Sequence, residues 1–185
     1  MLTYPLGEIM KLTVFGATGG IGRQLIEQGL RQGHEMTAVV RATLDDAAAL
    51  EAAVAGRDAV LTALGHRKGG PPTVRRILAV DAAGRVSDRG DSLLMRAVAK
   101  PLVQRILKAN FDDLAEAERI LRASNLDWTL ISPPRLTDAG HRPYRTVLDL
   151  SVRGGRTLSR ADVADAMLRS VTDDTHIHHR VSIAY

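Results

Sequence analysis

The sequence predicts an α/β fold, a doubly wound parallel sheet in a single domain, from three observations. Short apolar runs alternate with segments of helical period, a glycine-rich turn joins the first run to the first helix, and tandem prolines stop a late strand. Lys11-Leu12-Thr13-Val14-Phe15 is apolar, partly β-branched and ends at glycine, as a buried parallel strand does. Ile21, Leu25, Ile26 and Leu30 follow helical spacing, and Gly29 and Gly33 punctuate the end, so a helix is expected from Ile21 to Gly33. Met36 to Val40 reads as a second strand, Asp45 to Ala55 as an Ala-rich helix, Ala59 to Leu64 as a buried strand ending at Gly65, and Ile77 to Val80 as another strand. Helices are expected over Leu93 to Leu107 and Phe111 to Ala123. A strand from Trp128 to Ile131 is stopped by Pro133-Pro134, because a residue before proline is pushed out of helical conformation and proline has no N–H to give. Ser159 to Ser170 is the closing helix, with Ser159 as its cap and Asp162 near its positive end.

A chain of 185 residues that is 45% hydrophobic has room for one sizeable core and little for a second. The domain is expected over residues 10–185, with residues 1–9 as an N-terminal extension. The net charge of +4 is spread along the chain among Asp and Glu, and aromatic residues make up 3%, which argues against a nucleic-acid surface. With no cysteine there is no disulfide and no thiolate chemistry. No apolar run approaches the length of a membrane span, so no membrane partner is expected and the cytoplasm is the expected compartment.

Two crossovers are short. Parallel neighbours need a dozen or more connecting residues, usually with a helix, yet Gly65-His66-Arg67-Lys68-Gly69-Gly70-Pro71-Pro72 after the third strand is unfit for one. The stretch from Val40 to Asp45 also leaves no space for a helix and a strand, unless the second strand passes straight through the Asp45 helix to the next. Either segments are missing near Arg41/Ala42 and Thr73 to Arg76, or the chain is a compact variant shortened there.

The turn Gly16-Ala17-Thr18-Gly19-Gly20-Ile21-Gly22 carries the clearest chemistry. Glycines 16, 19 and 22 form G-x-x-G-x-x-G between a strand and a helix: the first makes the turn, the second lets backbone approach a pyrophosphate, and the third allows close helix–strand packing. The N–H groups and positive end of the helix then face the phosphates. This is the Rossmann-type arrangement for a dinucleotide. Dinucleotide binders that take NAD usually place an acid at the end of the second strand. Here Val39-Val40 leads to Arg41, whose guanidinium suits a 2′-phosphate, with Arg23 as a possible second cation. The expected cofactor is NADP(H).

The turn Gly16 to Gly22, Arg41, Ala63-Leu64-Gly65-His66-Arg67 and the run Leu121 to Leu136, with Trp128-Thr129-Leu130-Ile131-Ser132-Pro133-Pro134-Arg135, resemble the atypical short-chain dehydrogenases. Within these the chain is similar to the NmrA-like NAD(P)H-binding group and its biliverdin reductase B/flavin reductase branch. The resemblance implies NADPH and the reduction of flat acceptors such as flavins, quinones or tetrapyrroles. It also implies that Ala63, Leu64, Gly65 and Pro133 line the cofactor. The Tyr-x-x-x-Lys pair of ordinary short-chain dehydrogenases is absent, since Tyr144 is followed by Leu148 and Tyr4 by Glu8. Relatives often carry Ser or Thr beside the nicotinamide where this chain has Ala79-Val80-Asp81-Ala82. Asp81 and Arg135 are the candidate catalytic residues. An ionised Asp81 is no hydroxyl donor, and Arg135 either contacts an acidic or carbonyl-bearing substrate or pairs with Asp138.

Other polar groups have simpler accounts. His66-Arg67-Lys68 either lines the cleft or is a solvated loop. His176 and His178 would share a face if they lay on a strand, but no carboxylate or cysteine cluster of ligand spacing accompanies them, so no metal is expected. The acids of Phe111 to Leu121 fit the solvated face of a packed helix, and Trp128 fits the core. The expected activity is an NADPH-dependent oxidoreductase acting on a small molecule. The alternatives are an NADP(H)-binding regulator without turnover, or a biosynthetic enzyme without net redox. Nothing in the pattern fixes an oligomeric state.

Overall fold

Residues 11–15 pair in parallel with residues 35–39 on one side and 59–62 on the other, which puts the first strand inside the sheet. The computed structural model describes residues 8–40, 46–63, 76–81 and 108–185. Its elements are β1 (Lys11–Phe15), α1 (Gly20–Arg31), β2 (Glu35–Val39), α2 (Ala47–Val54), β3 (Ala59–Thr62), β4 (Arg76–Val80), α3 (Lys108–Ala123) and β5 (Asp127–Ser132). After these come β6 (Arg135–Thr137), β7 (Arg145–Leu148), β8 (Thr157–Ser159), α4 (Arg160–Val171), a 3-10 turn at Asp174–His176 and β9 (His179–Ala184).

The main sheet has the order β2-β1-β3-β4-β5-β9-β7, and β6 and β8 form a separate parallel pair. All neighbours in the main sheet are parallel except β7, which runs antiparallel to β9 at the edge. The order reverses at β1: the chain goes out to β2 and returns through α2 to β3 on the other side. Open α/β sheets bind ligands outside the carboxyl ends of their strands at such a reversal.

Side chains alternate as strands between two helix layers must. Leu12 and Val14, with Leu61, Leu78, Ile131, Val181 and Ile183, join one core with Leu25 of α1 and Val163 and Met167 of α4. Val60 faces the opposite side, against Val54 of α2. Thr13 on that face is fully buried and its hydroxyl donates to the Ala53 carbonyl at 2.6 Å, so that hydroxyl is not stranded. Gln28 of α1 donates to the Ala161 carbonyl at 3.0 Å, fixing α1 against the start of α4.

The doubly wound α/β expectation holds, with differences at particular elements. Strand two passes directly through α2 to β3, the more compact of the two routes the short connection allows. α2 spans Ala47–Val54 within the stretch expected from Asp45 to Ala55, and Asp46 caps it, accepting from the N–H groups of Ala48 and Ala49. The strands β6 to β9 were not anticipated, and β7 makes the sheet mixed where a parallel one was expected. His176 and His178 do not share a strand: His176 ends the 3-10 turn, and His178 has φ of 62° before β9 begins. The helix expected at Leu93 to Leu107, the junctions at Arg41/Ala42 and Thr73 to Arg75, and the first residues of the N-terminal extension lie outside the described residues. No helix among the described residues is long and apolar enough to cross a membrane.

Candidate functional site

The ends of β1, β3, β4 and β5 bring predicted site residues to one edge. Phe15, Thr62, Ala79 and Leu130 lie in one register across these strands. Gly16, Ala63, Asp81 and Pro133 therefore follow one another along the carboxyl edge. The Ala63 N–H bonds the Phe15 carbonyl at 3.0 Å, and the Asp81 N–H bonds the Ile131 carbonyl at 2.7 Å. Arg41, Leu64, Gly65, Ala82 and His66-Arg67-Lys68 lie outside the described residues.

The glycine turn divides its work as the motif requires. Gly16 has φ of 77°, a conformation that side chains disfavour, and its carbonyl accepts from the Gly19 N–H at 2.9 Å. A Cβ on Gly22 would collide with the Gly16 carbonyl oxygen and stand 2.7 Å from the Ala17 Cα, so only glycine lets α1 pack this close to the turn. Ala17, Ile21 and Gly22 are buried, whereas Thr18, Gly19 and Gly20 are exposed. Gly19 occupies the cap position of α1, which has no side-chain cap and no acid in its first turn. Its orphan N–H groups and positive dipole end thus face outward beside exposed glycine backbone. This is a cradle that a Cβ would fill, and it fits a pyrophosphate. Arg23, considered as a second cation, donates through Nε to the Thr18 carbonyl at 2.8 Å and braces the turn.

At the other end of this edge, Asp81 is buried and Pro133 is buried beside a half-buried Pro134. Arg135 opens β6 as an exposed residue. Its alternative role as the partner of Asp138 is not realised, because Asp138 pairs with Arg160 at 2.6 Å. Ser132, to which the sequence reading gave no role, is 1% exposed, and its hydroxyl has no partner among the described residues. The only sequence signal for it is its position between a strand end and two prolines. Tyr144 donates to Asp165 at 2.8 Å, and burial together with that bond holds its phenol well above the ordinary range, so it is a structural group.

A second polar cluster surrounds the start of α4. Ser159 caps the helix, accepting from the Asp162 N–H at 3.0 Å and donating to the Asp162 carboxylate at 2.8 Å. Asp162, 1% exposed, also accepts from the Tyr185 hydroxyl and the Arg142 N–H, and faces His141 Nδ1 at 3.0 Å. The histidines near the C-terminus are dispersed: His176 meets Ser170 Oγ at 2.9 Å, His178 meets the Leu126 carbonyl at 3.1 Å, and His179 pairs with Asp149 at 2.5 Å. A polar hollow of about 320 Å³ lined by Glu118, Arg122, Asp149, His178, His179 and Arg180 opens at the opposite, amino-terminal edge of the sheet. Its charges are paired internally, Glu118 with Arg122 and Asp149 with His179, and it is remote from the glycine turn. The carboxyl edge has the better chemistry for a dinucleotide.

Comparison with known proteins agrees. The NAD(P)H-binding family model matches residues 40–174, beginning just after the first strand–turn–helix–strand unit, so the glycine turn is independent support. A solved structure from Streptococcus pneumoniae TIGR4, provisionally named an NADH-flavin reductase, is 24% identical with a TM-score of 0.73, covering 95% of this chain and 99% of its own. A short-chain dehydrogenase/reductase from Veillonella parvula DSM 2008, solved in complex with NADP, is 19% identical with a TM-score of 0.74 over 96% of this chain and 95% of its own. A protein of Burkholderia pseudomallei, provisionally named as exported, is 23% identical with a TM-score of 0.75 over 96% of this chain and 100% of its own. At these identities the three share the fold. With the glycine cradle, the reversal of strand order at β1 and the family match over most of its length, the chain belongs to the NAD(P)H-binding family.

Proposed function

We propose that the protein is an NADPH-dependent oxidoreductase that reduces a flat, conjugated small molecule of flavin or quinone type. The observation that carries this reading is the carboxyl-edge row Gly16, Ala63, Asp81 and Pro133, which joins the phosphate cradle to a wall of two prolines. When bound, the reduced nicotinamide supplies a hydride to the acceptor. The chain's own residues supply position. The glycine turn holds the phosphates, Arg41 favours the 2′-phosphate, and Pro133-Pro134 stiffen the wall against which a planar acceptor lies. Arg135 attracts a carbonyl or carboxylate of the acceptor, and the Ser132 hydroxyl is a neutral donor where Asp81 and Ala82 offer none. Solvent completes the protonation.

The test is the decay of NADPH absorbance with a panel of flavins and quinones, for wild type and three variants. Wild type turns over at least one acceptor. Arg41→Ala weakens NADPH about ten- to a hundredfold and leaves NADH nearly unchanged, the loss of one charge-assisted contact. Asp81→Asn stays within about tenfold of wild type, and Arg135→Ala chiefly raises KM. Tight NADPH binding with no turnover across the panel would replace the enzyme reading with that of an NADP(H)-binding regulator.

A further inference from the structure

Turn geometry, phosphate approach and helix packing account for glycines 16, 19 and 22. They leave Gly20 unexplained, although it sits between them and opens α1. A Cβ on Gly20 would stand 2.6 Å from Cδ and 2.9 Å from Nε of Arg160, the first residue of α4. The Arg160 side chain therefore lies across the first residue of α1, and the absence of a side chain at Gly20 gives it that path.

Its charge is held in a way that suits exchange. Arg160 Nη1 meets Asp138 Oδ1 at 2.6 Å, with the Asp138 side chain 88% exposed and the Arg160 side chain 32% exposed. An ion pair to so exposed a carboxylate is weak, because water solvates the acid nearly as well. A diphosphate at the uncapped start of α1 carries more charge and offers paired oxygens that match the guanidinium fork. Asp138 follows β6 and Arg160 starts α4, so the pair also ties the acceptor-side strand to the phosphate side of the site.

We propose that Arg160 is a cofactor-binding residue that reaches over Gly20 to the diphosphate of the dinucleotide, and that Asp138 holds it in place while competing with the phosphates for it. The proposal rests on the NAD(P)H-binding reading of the glycine turn. Arg160 addresses the group that NADPH and NADH have in common, so it sets affinity without choosing between them, in contrast to Arg41. Gly20 is the residue that keeps its approach open.

The experiment is fluorescence titration of NADPH and NADH on the full chain, with thermal melts to establish that each variant is folded. Arg160→Ala weakens both cofactors to a similar degree, about tenfold or more, the expected loss for a hydrogen bond to a charged group. Asp138→Asn removes the competitor and tightens both severalfold. Gly20→Ala weakens both in the wild-type background but costs little further in Arg160→Ala, a coupling that independent sites would not show. Unchanged affinity for both cofactors in a folded Arg160→Ala overturns the proposal, and a loss confined to NADPH overturns it in favour of a 2′-phosphate contact. Failure of wild type to bind either cofactor overturns the underlying reading of the glycine turn, and is distinguished by appearing before any substitution is made.

Discussion

α1 and α4 start at the same edge of the sheet, packed side by side, and their first turns are opposites. α1 begins on bare glycine, with no side-chain cap and no acid. α4 begins on Ser159 with Asp162 in its first turn, and Tyr185, Arg142 and His141 converge on that carboxylate. Both helices have the same orphan N–H groups and the same positive end. In α4 the protein satisfies them itself, and the result is a buried structural joint. In α1 it leaves them facing outward for a ligand to satisfy. Capping chemistry, rather than helix position, separates the cofactor site from its support.

The comparison breaks first at Gly22. Gly22→Ala forces a methyl into the Gly16 carbonyl, so cofactor binding falls below detection in titration. The melting temperature falls with it, by the roughly 1 to 3 kcal/mol that overpacking costs. Asp162→Ala should do the reverse. Removing a buried carboxylate with several donors costs about 2 to 3 kcal/mol in urea unfolding, yet the folded fraction binds NADPH within about twofold of wild type. A cofactor loss as large as at Gly22 would show that the Ser159–Asp162 cap, and not only Arg160 beside it, belongs to the site. The smallest effect concerns the far end of α4. Burial holds the His176 imidazole below its ordinary pKa, despite the opposing pull of Asp173. A depressed histidine favours folding while both states are neutral, and that contribution fades as pH falls through the unfolded value near 6.5. Thermal melts between pH 8 and 5 should decline on the acid side, and His176→Gln should flatten the decline by on the order of a degree or two.

How much of this was legible in the sequence depended on how local its cause is. β1, the glycine turn and α1 were readable because strand, turn and helix are specified by one continuous stretch, residues 11–31, and Gly16, Gly19 and Gly22 announce their spacing. The Ser159 cap was readable for the same reason. The strand His179–Ala184 was not, because it opens with polar His179 and Arg180 and follows a histidine run that draws attention as a metal pattern. β6 and β8 are three residues each and exist by pairing with one another. Asp81 and Pro133 could be placed at one edge from strand ends alone, but the buried Ser132 hydroxyl beside them has no pattern to signal it. Arg160 has no pattern in the sequence to signal it. Its bearing on Gly20 arises only when α4 folds against α1, and the two are far apart in sequence.

The collision that excludes a side chain at Gly22 is with main-chain atoms of Gly16 and Ala17, which every possible residue at those positions would still possess. No second substitution can remove it. A search for suppressors of Gly22→Ala should return reversion, whereas damage at Asp162, whose donors include side chains of Ser159 and Tyr185, has many routes to repair. The support of the site is free to drift through compensating pairs, while the turn that faces the cofactor is confined to a single spelling.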